Sequence, residues 1–266
     1  MQQTQVTEFI AGLEVSQAMS PGDRMYKAGA SYFGVGRSAL LAIMTALSAR
    51  LGYAGGDQTV TRILDYGCGH GRVARYLRAA FPDAEVNVSD LDRAGVQWCV
   101  DQFGCVDMGA SIMPQSYDVI WLGSVFTHLR EAAAQELLAM LKTGVRANGV
   151  LIFTSQGRFA ALRAEQRIRA QASSVPGSYH VDPASLAQMV QEFQQTGYGF
   201  ASYAKQPGYG ASIVKQAWYH DHVVDADFLQ ISAQEKGWDN HQDVQAFMRT
   251  SILDPRKGTF ADRAAG

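Results

Sequence analysis

Asp65, three glycines at alternate positions and Asp90 form the densest chemical pattern in this chain. The segment Ile63-Leu64-Asp65-Tyr66-Gly67-Cys68-Gly69-His70-Gly71-Arg72 reads as a strand running through a turn into a helix. Glycine tolerates positive φ and lets a ligand approach the backbone closely. A helix start adds free N–H groups. The spacing narrows what is cradled. A dinucleotide fingerprint needs G-x-G-x-x-G, and the position of its third glycine is taken here by Arg72, too bulky for close helix–strand packing. No G-K-[ST] follows, which removes a Walker A phosphate loop. Asp65 suits a ligand bearing a cation or amine and would repel a pyrophosphate. Asp90 closes the next predicted strand about 20 residues on, where a carboxylate accepts both hydroxyls of an adenosine ribose. The competing role is a helix cap, and that is the reading for Asp92.

The elements that must hold these groups alternate. Strands are expected at Val60 to Tyr66, Ala84 to Ser89, Tyr117 to Gly123 and Val150 to Ser155. Helices are expected between them at 71–80, 92–103 and 130–143, the last clearly amphipathic. This rhythm predicts an α/β fold of Rossmann-like, doubly wound type, with helices on both faces of a mostly parallel sheet. Ligands then bind at the carboxyl ends of the strands. Ahead of the core, a polar stretch ends in the breaker Ser20-Pro21-Gly22-Asp23. A Gly- and Tyr-rich connector spans 25–37, and a helix 38–52. Residues 1–59 are therefore expected to form an N-terminal helical cap or lid. Beyond the strand at Val150 to Ser155 come a basic helix over 158–172, a helix over 183–195 and a segment, 198–224, with no clear pattern. Strands at 228–234 and 243–249 follow, joined by a loop, and 251–266 reads as a tail.

Composition excludes several classes. The chain has 266 residues, 47% of them hydrophobic, with 23 basic and 25 acidic residues. A net charge of -2 argues against a nucleic-acid partner. No run of roughly 18 consecutive apolar residues is present, so no membrane span is expected. The first 20 residues lack the basic and apolar regions of a signal peptide. Three cysteines, Cys68, Cys99 and Cys105, fit a reducing compartment, so a cytoplasmic location is expected. Arg outnumbers Lys by 17 to 6.

With the glycine turn and Asp90 in order, ILDYGCGHGRVARYL resembles the nucleotide-binding signature of class I S-adenosylmethionine (SAM)-dependent methyltransferases. SDLDRAGVQWC, SYDVIWLGSVFTHL, LLAMLKTGVRANGVLIFTSQG and GWDNHQDV follow in the family's order. The resemblance spans roughly residues 25–250 and is nearest to bacterial members acting on small molecules or glycan-associated acceptors. It implies a seven-stranded sheet over 60–250, SAM as cofactor, and substrate choice in 156–227. It also implies roles. Asp65, Gly67 and Gly69 would line the methionine part, with Gly71 opening the helix. Asp90 would hold the ribose and Leu91 pack on the adenine. Asp107 is the candidate adenine contact, in a segment shorter than the family's. Leu122, Gly123 and Ser124 would sit beside the methionine moiety.

Methyl transfer is an in-line displacement, so alignment supplies much of the rate. A hydroxyl nucleophile also needs a base. His128, just beyond the strand at Tyr117 to Gly123, and His241, in the loop 237–242, are the candidates. Each has a plain alternative, as a loop-fixing or an exposed histidine. Trp238 would wall the acceptor site. Tyr32 or Arg37 could hold a carboxylate of cofactor or substrate, or simply pack. Arg158 stands nearest the strand end on a helix that also carries Arg163, Arg167 and Arg169. That face is either solvated or reads an acidic group. His220-Asp221-His222 has no third ligand, so no metal is assigned, and Cys68 reads as a small turn residue. The expected function is methylation of a small-molecule or sugar-containing acceptor, preferentially on oxygen, with nitrogen and carbon acceptors open. A SAM-binding scaffold without turnover is the alternative.

Overall fold

The computed structural model describes residues 3–26, 29–53, 59–170, 181–204 and 206–250. His180 and the 251–266 tail lie outside them. The strands are β1 (Arg62–Tyr66), β2 (Glu85–Ser89), β3 (Val106–Asp107), β4 (Tyr117–Leu122), β5 (Val145–Ser155), β6 (Tyr198–Tyr203), β7 (Gln206–Val214), β8 (Phe228–Trp238) and β9 (Gln242–Arg249). The helices are α1 (Gln3–Ala11), α2 (Gly29–Arg50), α3 (Ala74–Ala80), α4 (Arg93–Phe103), α5 (Glu131–Gly144), α6 (Arg158–Arg169), α7 (Pro183–Thr196) and α8 (Gln216–Val223). Seven strands form one sheet in the order β3-β2-β1-β4-β5-β9-β8, and β6 and β7 form a separate antiparallel hairpin. Pairs from β3 to β5 are parallel, and β9 runs antiparallel to both its neighbours.

Alternation along each strand builds the two layers. Ile63, Val119, Trp121, Val150 and Ile152 pack with α2, α3 and α4. Leu64, Ile120, Leu122, Leu151 and Phe153 pack with α5 and α8 on the other side. With both faces covered, the strands read as continuous apolar runs. A third cluster joins α6 and α7 to the hairpin.

Several elements depart from the sequence reading, each for a packing reason. The helix expected from 38 starts at Gly29 and takes in the expected connector. Its glycines weaken helix propensity, yet a Cβ on Gly36 would strike the Arg72 carbonyl oxygen and come within 2.6 Å of the Tyr76 ring. α2 thus packs into the core on one face of the sheet. By length and apolar composition α2 could cross a membrane, but more than half of that apolar stretch is buried in this fold. The helix expected from Gly71 starts at Ala74, because Gly71 sits at φ +82°. The unpatterned 198–224 segment is the hairpin plus α8. β8 runs on to Trp238, and Asp239 and Asn240, at φ 50° and 57°, turn tightly into β9 where a long loop was expected.

Candidate active site

The carboxyl ends of β1, β2 and β4 open into one cavity of about 250 Å³. Its floor is the glycine turn. Gly67 has φ +86°, and a Cβ there would lie 2.5 Å from Val125. Gly95 on α4 lets that helix rest against the carbonyl of Gly69. Asp65, Gly67, Cys68, Gly69, His70, Arg72, Asp90, Asp92, Trp121, Gly123 and Trp238 line the walls. Asp65 is 1% exposed, and its Oδ2 has no hydrogen-bond partner. Burial and the neighbouring Asp90 push its carboxyl up to about 7. The Cys68 thiol is raised far above its ordinary value by its contact with Cys99 and by burial, so it stays protonated.

Asp90 is tied into the turn. Its Oδ2 accepts from the Gly69 N–H at 2.7 Å, and its Oδ1 from the Asp92 N–H at 2.8 Å. Each carboxylate oxygen keeps a second lone pair for a hydroxyl. Asp92 caps α4 through the N–H groups of Ala94 and Gly95 and pairs with His70 at 3.2 Å. Leu91 projects beside Asp90 with 98% of its surface exposed, an apolar side chain with nothing over it. Asp107 lies outside the cavity, ion-paired with Arg93 and accepting from the Gly109 N–H.

The mouth of the cavity is crossed by Gly22, Asp23, Arg24 and Met25. This strap is held by Tyr32 and by Arg75, the second of which sequence reasoning missed. Arg75 is 2% exposed, donates from Nε to the Gly71 carbonyl at 3.0 Å and from Nη1 to the Ser16 carbonyl at 2.9 Å, and so pins strap to turn. Tyr32 donates to Asp23 Oδ2 at 2.6 Å and stands behind the wall rather than in it. Trp238 is buried, with its ring edge-on to Trp121 and its Nε1–H donating to the Val35 carbonyl at 3.1 Å. Arg37 is exposed on α2 beside Tyr76, and Arg158 is exposed and paired with Glu235 at 2.8 Å. Neither lines this cavity.

Beyond Gly123 the chain takes an unusual path. Ser124 has φ 63°, held by its N–H donating to Thr154 Oγ1 at 2.8 Å and by Gln242 Nε2 donating to its Oγ at 3.0 Å. Thr154 in turn donates to Gln242 Oε1 at 2.6 Å. No sequence signal links these three positions, which lie on β5, on β9 and after β4. Leu122 itself is buried in the core. His128 follows on the short helical turn 126–128 and, like His241, is not part of the cavity lining. Its Nδ1 is 2.9 Å from the Gly210 carbonyl and 3.2 Å from the Tyr203 hydroxyl, and its ring stacks on Tyr209 at 4.9 Å. A carbonyl only accepts, so Nδ1 carries the proton and Nε2 keeps its lone pair. Burial lowers the pKa of His128, which favours the neutral ring. His241 is half exposed on the β8–β9 turn, with Nδ1 3.0 Å from the Asp239 carbonyl, outside the cavity lining. His220 contacts Asp221 and His222 stacks on Trp218, so the two rings serve different neighbours.

A methyltransferase-domain profile matches residues 37–200, more than half of the chain. The chain belongs to the methyltransferase-domain family. Among solved structures, this methyltransferase domain is similar to a SAM-dependent methyltransferase from Clostridium acetobutylicum, at TM-score 0.51 and 10% identity, covering 86% of this chain and 94% of that one. It is also similar to PKMT2 of Rickettsia typhi, solved with AdoHcy, at TM-score 0.52 and 9% identity, covering 84% and 54%. Both likenesses concern the fold. A curated relative, the malonyl-[acyl-carrier protein] O-methyltransferase of Acetivibrio thermocellus, is 26% identical over 102 residues. That stretch is 36% of this chain, and the chain spans about a third (35%) of the relative's length. The family's cofactor, SAM, fits the cavity. Its ammonium would supply the partner that buried Asp65 Oδ2 lacks, its ribose would meet Asp90, and its adenine would cover Leu91.

Proposed function

We propose that this methyltransferase domain moves the methyl group of SAM to a hydroxyl oxygen of a small molecule, sugar-bearing metabolites included. The observation that carries the reading is the buried Asp65 carboxylate, one oxygen of which has no partner, in the lining of a cavity floored by the glycine turn and walled by Asp90. Bound there, the cofactor supplies a methyl group already activated by its sulfonium. Asp65 and Asp90 would fix the two ends of the cofactor, leaving the protein to align the acceptor. The Ser124–Thr154–Gln242 triangle holds the backbone next to Gly123 in one position, and His128 follows four residues later. His128 Nε2 would take the hydroxyl proton as the carbon–oxygen bond forms and the carbon–sulfur bond breaks. The curated relative's name records an O-methyltransferase, which supports an oxygen acceptor. Three buried, unpaired cysteines support a reducing location such as the cytoplasm.

The test is methyl-labelled SAM offered with a panel of phenols, sugars, carboxylic acids and amines. Label on a hydroxyl compound, with turnover about 100-fold lower in His128→Ala at saturating SAM, is the expected result. Absence of S-adenosylhomocysteine binding at high micromolar ligand overturns the reading. Binding without label on any acceptor favours an inert SAM-binding scaffold. Full activity in His128→Ala removes the base, and His241→Ala then reports on the remaining histidine.

A further inference from the structure

Two opposite charges face the same cavity without touching. Asp65 sits at the floor with Oδ2 unpartnered. Arg72, the residue that spoils the dinucleotide fingerprint, lines a neighbouring wall. Among the described residues its guanidinium has no hydrogen bond, and no carboxylate oxygen lies within the 4.0 Å of an ion pair. It is held instead over two rings, Tyr32 and Trp238, with Cζ 5.8 Å from each centroid. Guanidinium on a ring face keeps its in-plane N–H donors free. Arg75, one turn further along, is the contrast, because its donors serve the Gly71 and Ser16 carbonyls.

The charged and titratable groups around Arg72 are Tyr32, Asp23, Asp239 and Asp65. Asp23 already accepts from Tyr32 and from the Met25 N–H, and Asp239 stands outside the cavity beside His241. Burial lowers the Arg72 pKa, as expected for a partly desolvated cation lacking a close counter-anion.

The geometry points to Arg72 and Asp65 as a receptor for a zwitterion: we infer that Arg72 binds the carboxylate of the cofactor's amino-acid end while Asp65 takes its ammonium. An α-amino acid presents both charges on one carbon, and the cavity presents the complementary pair. This rests on the cofactor reading above and adds a residue to it. Arg24, exposed at the mouth, is the competing cation.

Calorimetry with S-adenosylhomocysteine and with 5′-methylthioadenosine, which lacks the amino-acid carbons, separates the outcomes. Arg72→Met should weaken S-adenosylhomocysteine binding about 10- to 100-fold, the size of one or two charge-assisted hydrogen bonds. Binding of 5′-methylthioadenosine should stay within about 2-fold, which also reports an intact fold. Arg72→Lys should recover part of the loss. Equal weakening of both ligands would make Arg72 a structural residue and overturn the inference. So would unchanged binding of both, and a loss seen in Arg24→Ala instead would name the true partner. If the unmodified protein binds neither ligand, the cofactor reading has failed as well, and that is seen before any variant is made.

Discussion

Asp65 and Asp118 are both buried carboxylates on central strands, yet they occupy opposite ends of the sheet and do opposite work. Asp118, at the amino end of β4, is fully covered. Its Oδ2 accepts from the Thr61 N–H at 2.9 Å, the Thr61 hydroxyl at 3.0 Å and the Arg62 N–H at 2.9 Å, and Arg146 pairs with its other oxygen. It ties the start of β1 to the start of β4. Asp65, at the carboxyl end of β1, keeps an orphan oxygen and a raised pKa. The lesson is that one end of the sheet is closed for stability. The other is left electrostatically incomplete until a ligand arrives.

The largest expected effect is on the closed end. Asp118→Ala should cost about 3–5 kcal/mol in urea unfolding, because buried donors and Arg146 lose their acceptor. The folded fraction should still bind S-adenosylhomocysteine normally. Asp90→Ala should do the reverse, weakening that ligand about 100-fold while it costs the unliganded protein far less than Asp118→Ala does. Asp65→Asn should weaken the ligand about 10- to 100-fold and leave the unliganded protein at pH 8 as stable as before, or more so. A loss of stability equal to that of Asp118→Ala would erase the contrast between the two ends.

The pH dependence carries the same distinction. Burial and Asp90 push the Asp65 carboxyl up to about 7 in the folded protein, against 3.8 for an ordinary aspartate. Between these values the unfolded chain has released a proton that the folded chain retains. Its contribution to stability is therefore full below the lower value and is lost as pH rises toward the upper one. Wild-type protein should lose stability relative to Asp65→Asn across that window in urea titrations. Cofactor binding should strengthen over the same range, because an ammonium prefers the carboxylate. A flat difference curve would mean that Asp65 titrates normally. The smallest effect belongs to Thr154→Val, which removes the acceptor for the Ser124 N–H. It should cost about 1 kcal/mol and lower kcat a few-fold, leaving ligand affinity unchanged.

The legible parts of the site were local. Asp65, Gly67, Gly69 and Asp90 fall in adjacent strand–turn–helix units, and periodicity alone places them at one sheet edge. The mostly parallel, doubly wound core was legible for the same reason, whereas the count of seven strands came only from the family resemblance. Other parts were hidden because their partners are remote. Ser16 meets Arg75, and Ser124 meets Thr154 and Gln242, across separations that no local pattern encodes. Glycine also misled in both directions. Gly36 lies inside a helix because α3 passes against it, and Gly199 lies inside a strand because the Met189 carbonyl does. Both lowered the local signal for elements that packing then formed.

Taken alone, the sequence determined the strand–helix alternation that runs from β1 to β5, the glycine turn and the acidic residue closing the second strand. Those follow from backbone conformation and side-chain period, which are properties of neighbouring residues. Only the tertiary structure decided that α2 packs into the core, that Gly22 to Met25 are the part of the N-terminal segment at the cavity, and that Arg72 lies over Tyr32 and Trp238. It also decided that His128 faces the hairpin with Nε2 unprotonated. The physical reason is that burial and partner choice depend on what arrives from distant segments, and a carboxylate is a staple or a binding group according to whether those segments complete it.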